Sequence, residues 1–154
     1  MSSEQLPDGS VETARYTHGH SAAVLSAHSR RGAADSAAYL LVHLRAGMDL
    51  LDVGCGPASI TADLAERVAP GRVVALDAAS GALEAARATL RDRGLSEQVE
   101  VTSGDVMALP FEDASFDVVH AHQVLQHLAD PVGALAEMRR ITRPGGIVAV
   151  RDAV

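Results

Sequence analysis

The chain has 154 residues, 47% of them hydrophobic and 21% charged, with a formal net charge of −7. That composition is globular, long enough for one domain burying roughly 68–70% of its unfolded surface, and it lacks the basic excess that nucleic acid or an anionic membrane selects. All thirteen basic residues are arginine, so lysine nucleophiles and Schiff bases are excluded, and the single Cys55 can form no internal disulfide or cysteine-based zinc site.

Residues 1–15 are polar and aperiodic and read as a flexible N-terminal arm without a signal-peptide core. No apolar run reaches membrane-span length, and the chain reads as cytoplasmic. After Tyr16-Thr17-His18-Gly19-His20, Ser21 is a candidate N-cap for a short helix carrying Val24, Leu25 and His28. Ala37, Leu40, Leu41 and Leu44 fall at i, i+3, i+4 and i+7, which predicts a second helix stopped by Gly47.

From Met48 the pattern alternates strand with helix. Met48–Val53 is the first strand, and Ile60, Leu64 and Val68 stripe the helix after it. Arg72–Leu76 is the second strand, closed by Asp77; Ser80 is a candidate cap for a helix with Leu83, Ala86 and Leu90 inward. Val99–Thr102 is the third strand, followed by a loop through 115, and Phe116–Ala121 is the fourth. Asp130-Pro131 predicts the start of a helix burying Val132, Leu135, Met138 and Ile141. Pro144-Gly145-Gly146 breaks that helix before a fifth strand, Ile147–Val150. The alternation predicts an α/β, doubly wound, Rossmann-like parallel sheet of order 3-2-1-4-5, with helices preceding it and a core over 16–154.

The chemistry concentrates where strands end. Leu50–Val53 runs into Gly54-Cys55-Gly56-Pro57-Ala58, a strand–turn–helix junction at which a ligand approaches the backbone closely. Asp52, Asp77 and Asp105 mark three strand ends. Asp77 lies 21 residues after Gly56, where a carboxylate accepts both hydroxyls of a ribose. The dinucleotide fingerprint requires glycine at position 59, which is Ser59, and the absence of lysine further disfavours a nicotinamide oxidoreductase. Gly104-Asp105-Val106 offers a carboxylate and a backbone N–H to an adenine edge, and three carboxylates suit a cationic sulfonium better than a pyrophosphate. The balance favours S-adenosyl-L-methionine. His120 and His122 share one strand face, but spacing places no third metal ligand, and no metal is expected.

The runs Leu51–Ala58, Val73–Asp77, Gly104–Val119 and Ile141–Gly146 together resemble the class I S-adenosylmethionine-dependent methyltransferases, nearest their ubiquinone/menaquinone-biosynthesis-like branch. The resemblance implies methyl transfer to a small-molecule acceptor, with Gly54 and Gly56, flanked by Asp52 and Cys55, along the methionine and ribose portion. It further implies Asp77, beside Ala78, on the ribose hydroxyls and Gly104, Asp105 and the Val106 amide at the adenine. His122 and the His120 backbone would sit by the methionine portion, with Tyr16 and Arg31 as candidates for its carboxylate. His18, His122 and His127 are the candidates for a base, if the acceptor needs one. Ala58 stands where many relatives carry a third glycine. The family's sheet has seven strands and this sequence reads through five, so strands six and seven are expected to be missing. Hence an alternative expectation, a cofactor-binding or interaction module without turnover, and an expected site of self-association along the fifth-strand edge.

Overall fold

The computed structural model describes residues 32–153, and the arm at 1–15, the helix after Ser21, and Tyr16, His18 and Arg31 lie outside the described residues. In chain order the elements are α1 (Ala33–Ser36), α2 (Ala38–Leu41), β1 (Leu50–Val53), α3 (Ser59–Val68), β2 (Val73–Asp77), α4 (Ser80–Asp92), β3 (Val99–Ser103), β4 (Phe116–His122), a single 3₁₀ turn (Leu125–His127), α5 (Pro131–Arg140) and β5 (Thr142–Arg151). The five strands form one sheet in the order β3-β2-β1-β4-β5, every neighbouring pair parallel. This is the topology predicted from the alternation.

Both faces of the sheet are covered, which is why β1 and β2 are almost wholly apolar and buried. Leu50, Val73, Ala75, Val99 and Val118 face α3 and α4, together with Ala33 of α1, Leu40 of α2 and Ala37 between them. Leu51, Val53, Val74, Leu76 and Val119 face α5 and the loop after β3. At the amino ends of the strands, Arg143 bridges Asp49 and Asp117 at 3.0 and 2.9 Å, and Asp49 also accepts from the Arg72 N–H at 3.0 Å. This lock ties β1, β2, β4 and β5 together at the end opposite the glycine turn.

Four details differ from the sequence reading. The helix predicted from Ala37 to Gly47 is helical only over Ala38–Leu41 and is parted from α1 at Ala37, whose φ of −133° breaks the turn, although Ala37 and Leu40 are buried as expected. Ser80 is the first residue of α4 and caps nothing; Ala79 holds the cap position and its N–H donates to Asp77 Oδ1 at 2.9 Å. Val132 is 74% exposed at the start of α5, while Met138 and Ile141 are buried and Leu135 packs against the same core, as expected, together with Ala134. Pro144-Gly145-Gly146 lies inside β5: Thr142 pairs with Phe116 and Ile147 with Val118, so the intervening residues bulge opposite Asp117. Gly146 fits there because the Asp117 carbonyl lies 2.7 Å from where a Cβ would stand. Asp130 does cap α5, accepting from the Gly133 N–H at 2.9 Å.

Candidate active site

The β1–α3 turn is built by backbone geometry. Gly54 and Gly56 take φ of +67° and +53°, and Ala58 follows at +62°, a left-handed residue that is completely buried. Gly54 has no alternative: a Cβ would fall 2.5 Å from a Val124 methyl. Gly56 differs, since among the described residues a Cβ would meet no atom within 4 Å. One glycine is packed against the end of β4, and the other presents bare backbone to open space.

Asp77 lies against that open backbone. Its Oδ2 accepts from the Gly56 N–H at 3.0 Å and its Oδ1 from the Ala79 N–H at 2.9 Å. Each oxygen thus takes one backbone donor and keeps acceptor capacity for another, which suits a vicinal diol. The Gly54 and Cys55 N–H groups donate to the Leu76 carbonyl, and the Gly104 N–H donates to the Asp77 carbonyl at 3.2 Å. Hydrogen bonds therefore carry the line Gly54, Cys55, Gly56, Asp77, Gly104 across three strand ends, with Ala78 exposed beside Asp77. Asp105 follows directly, its Oδ1 accepting from the Met107 N–H at 2.8 Å, while Val106 is buried next to it.

Asp52 and His120 occupy a different layer. They are directly paired in the β1–β4 register, both on the face covered by α3. His120 Nδ1 lies 2.8 Å from Asp52 Oδ1, and the Thr61 hydroxyl donates to Asp52 Oδ2 at 2.6 Å. All three side chains are buried, so the pair is a support beneath the glycine turn, a partnership that strand spacing gave no means of finding. Cys55 sits above this charge. Burial first, then the Asp52 and Asp77 carboxylates, push its thiol well above the usual value, so it stays protonated and offers no nucleophile at neutral pH.

At the end of β4, His122 is half-buried and pairs in register with Arg151. Gln123 takes φ +54° there, held by its N–H to the Arg151 carbonyl at 2.7 Å. Arg151 donates to the Asp35 and Ser36 carbonyls, so α1 closes beside a groove lined by His122, Gln123 and Asp152. His127 is exposed on the 3₁₀ turn beside Gln126. Among the described residues, no three His, Cys, Asp or Glu side chains are grouped to hold a metal ion, and no helix is long and apolar enough to cross a membrane. Sequence reasoning missed Val124, which closes the turn over Gly54, and the Ala79 N–H, which pins Asp77; neither residue type carries a signal for such a role.

Comparison with known proteins adds independent findings. A family model described as a methyltransferase domain matches residues 51–150. A methyltransferase of Schizosaccharomyces pombe is 34% identical over 143 residues, covering 90% of this chain and 51% of its own. The demethylmenaquinone methyltransferase of Lactococcus lactis is 41% identical over 103 residues, 66% of this chain and 40% of its own. The crystal structure of a SAM-dependent methyltransferase from Aquifex aeolicus superposes with a TM-score of 0.68 at 27% identity, over 75% of this chain and 62% of its own. The chain thus spans about half or less of the length of these two curated relatives.

Proposed function

The chain belongs to the methyltransferase-domain family, in the ubiquinone/menaquinone-biosynthesis-like branch of class I S-adenosylmethionine-dependent methyltransferases, and we propose that it transfers a methyl group from S-adenosylmethionine to a small-molecule acceptor by in-line displacement. The observation that carries this reading is the Asp77 carboxylate, held by two backbone N–H groups beside the open face of Gly56, in a residue whose backbone carbonyl accepts from the Gly104 N–H. The residues present fit an adenosyl group: a diol acceptor at Asp77, and a carboxylate and amide at Asp105 and Val106 for the adenine edge.

When bound, the cofactor supplies an electrophilic methyl group on a sulfonium. The protein's part is alignment and exclusion of water, which is most of what such a displacement asks. Asp77 would hold the ribose; Gly54 and Gly56 would let it approach the backbone; Val124 closes the turn over Gly54. The groove between His122 and Arg151 is the proposed acceptor side, with His122 and His127 as proton acceptors for a substrate that must be deprotonated.

Calorimetric titration with S-adenosylhomocysteine tests the reading. The wild-type chain is expected to bind saturably and Asp77→Ala to lose at least about tenfold in affinity, the equivalent of one charge-assisted hydrogen bond. Absence of saturable binding, or an Asp77→Ala affinity equal to wild type, overturns it.

A further inference from the structure

We propose that the Glu137–Arg140 pair on α5 positions the loop that reads the adenine base, so that base selectivity is set from the helix behind the loop; this rests on the adenosine reading of Asp105 and Val106. The loop between β3 and β4 has almost no ladder of its own, only an isolated bridge between Asp105 and Ala108. Its first residues are held by Asp77 and by Asp105 itself, and its stretch from Leu109 to Asp113 is held from α5. The Arg140 guanidinium uses all five of its N–H donors: Nε to Glu137 Oε1 at 2.7 Å, Nη1 to the Phe111 carbonyl at 2.9 Å and Asp113 Oδ1 at 2.8 Å, and Nη2 to the Leu109 carbonyl at 3.0 Å and Glu137 Oε2 at 3.1 Å. Glu137 Oε2 also accepts from the Leu109 N–H at 2.8 Å. Both backbone polar groups of Leu109 are thereby held by one planar ion pair, four residues beyond Asp105. Leu109 and Val106 are buried against the same core as Met138 and Ile141, so clamp and apolar underside act on one short segment.

Two carbonyls and a carboxylate spread over the five residues 109–113 cannot be met by a point charge, and lysine is no substitute for the fork. The expected consequence is specific. Loosening the clamp lets Asp105 and the Val106 amide drift relative to Asp77, which blunts discrimination at the base while leaving the ribose contact in place.

The test compares S-adenosylhomocysteine with S-inosylhomocysteine, in which a carbonyl oxygen replaces the exocyclic amine and faces a carboxylate. Wild type is expected to prefer the adenosyl ligand by roughly tenfold or more. Arg140→Ala and Glu137→Gln, verified as folded by circular dichroism, are expected to bring that preference within about threefold, and Arg140→Lys to fall between. Asp77→Ala is expected to weaken both ligands alike and keep the preference. If Arg140→Ala does not fold, Glu137→Gln and Arg140→Lys carry the same comparison. Wild-type selectivity in folded clamp variants overturns the inference; a wild-type chain that binds neither ligand overturns the cofactor reading instead.

Discussion

Replacing Thr61 by valine removes one hydroxyl and keeps its shape. That hydroxyl donates at 2.6 Å to Asp52 Oδ2, and both residues are buried, at 0% and 3% exposure. The lost bond is charge-assisted and has no access to water as a replacement, so its removal should cost about 2–3 kcal/mol. Asp52 would then keep its contact with His120 Nδ1, at 2.8 Å. For a chain of this length the cost corresponds to a melting temperature lower by roughly 5–10 °C. Urea unfolding followed by far-UV circular dichroism, with the slope held common, measures it directly. The exposed pair Arg72–Glu100, at 51% and 58% side-chain exposure, is the control, and breaking it should cost less than about 1 kcal/mol. A Thr61→Val change within about 0.5 kcal/mol of wild type would refute the reasoning, since it would mean that water reaches the carboxylate.

Gly56→Ala should lose about 1 kcal/mol of stability to its positive φ and more than about tenfold in S-adenosylhomocysteine affinity, because the added methyl projects into the open face; Gly47→Ala, also left-handed and open but before the opposite end of β1, should lose stability alone. Equal affinities for the two variants would contradict that. Cys55 holds its proton more tightly in the folded chain than in the unfolded one. Its contribution to stability is therefore complete below about pH 8.5 and lost above it, by up to about 1.4 kcal/mol per pH unit. Denaturation between pH 8 and 10 should show a shallower decline for Cys55→Ala; identical slopes would remove the argument. Finally, the outer edge of β5 has no partner among the described residues, and half-buried Ile147, Val148 and Val150 lie along it. Sedimentation velocity should show concentration-dependent association, and a monomer at every concentration would exclude pairing there.

The architecture was legible because hydrophobic period and turn chemistry agree: Val73–Leu76 is apolar throughout and Leu50–Val53 apolar but for Asp52 because both faces are covered, and Gly54, Gly71 and Gly94 mark turns between elements. The strand-end positions Gly54, Gly56, Asp77 and Gly104 were legible for the same reason, since parallel topology brings successive carboxyl ends together. What stayed hidden depends on which direction a side chain takes. Asp52 lies two residues before the glycine turn, yet its carboxylate turns under the sheet to His120 and Thr61, a choice made by the β1–β4 register. Ser80 has the right chemistry for a cap, but Asp77 already serves the Ala79 N–H, so the chain enters α4 one residue earlier. Val132 heads a helical stripe whose later members, Met138 and Ile141, are buried, but in the first turn of α5 it faces solvent. The Arg140 clamp joins residues about thirty apart through backbone carbonyls, which carry no sequence signature.

Hydrogen exchange read by mass spectrometry, with and without saturating S-adenosylhomocysteine, puts the central claim to its plainest test. Slower exchange should appear in segments 54–58, 77–79 and 104–107, while the Asp49, Arg72 and Arg143 end of the sheet stays unchanged. Protection at that opposite end, or none at the three strand tips under saturating ligand, would contradict the account.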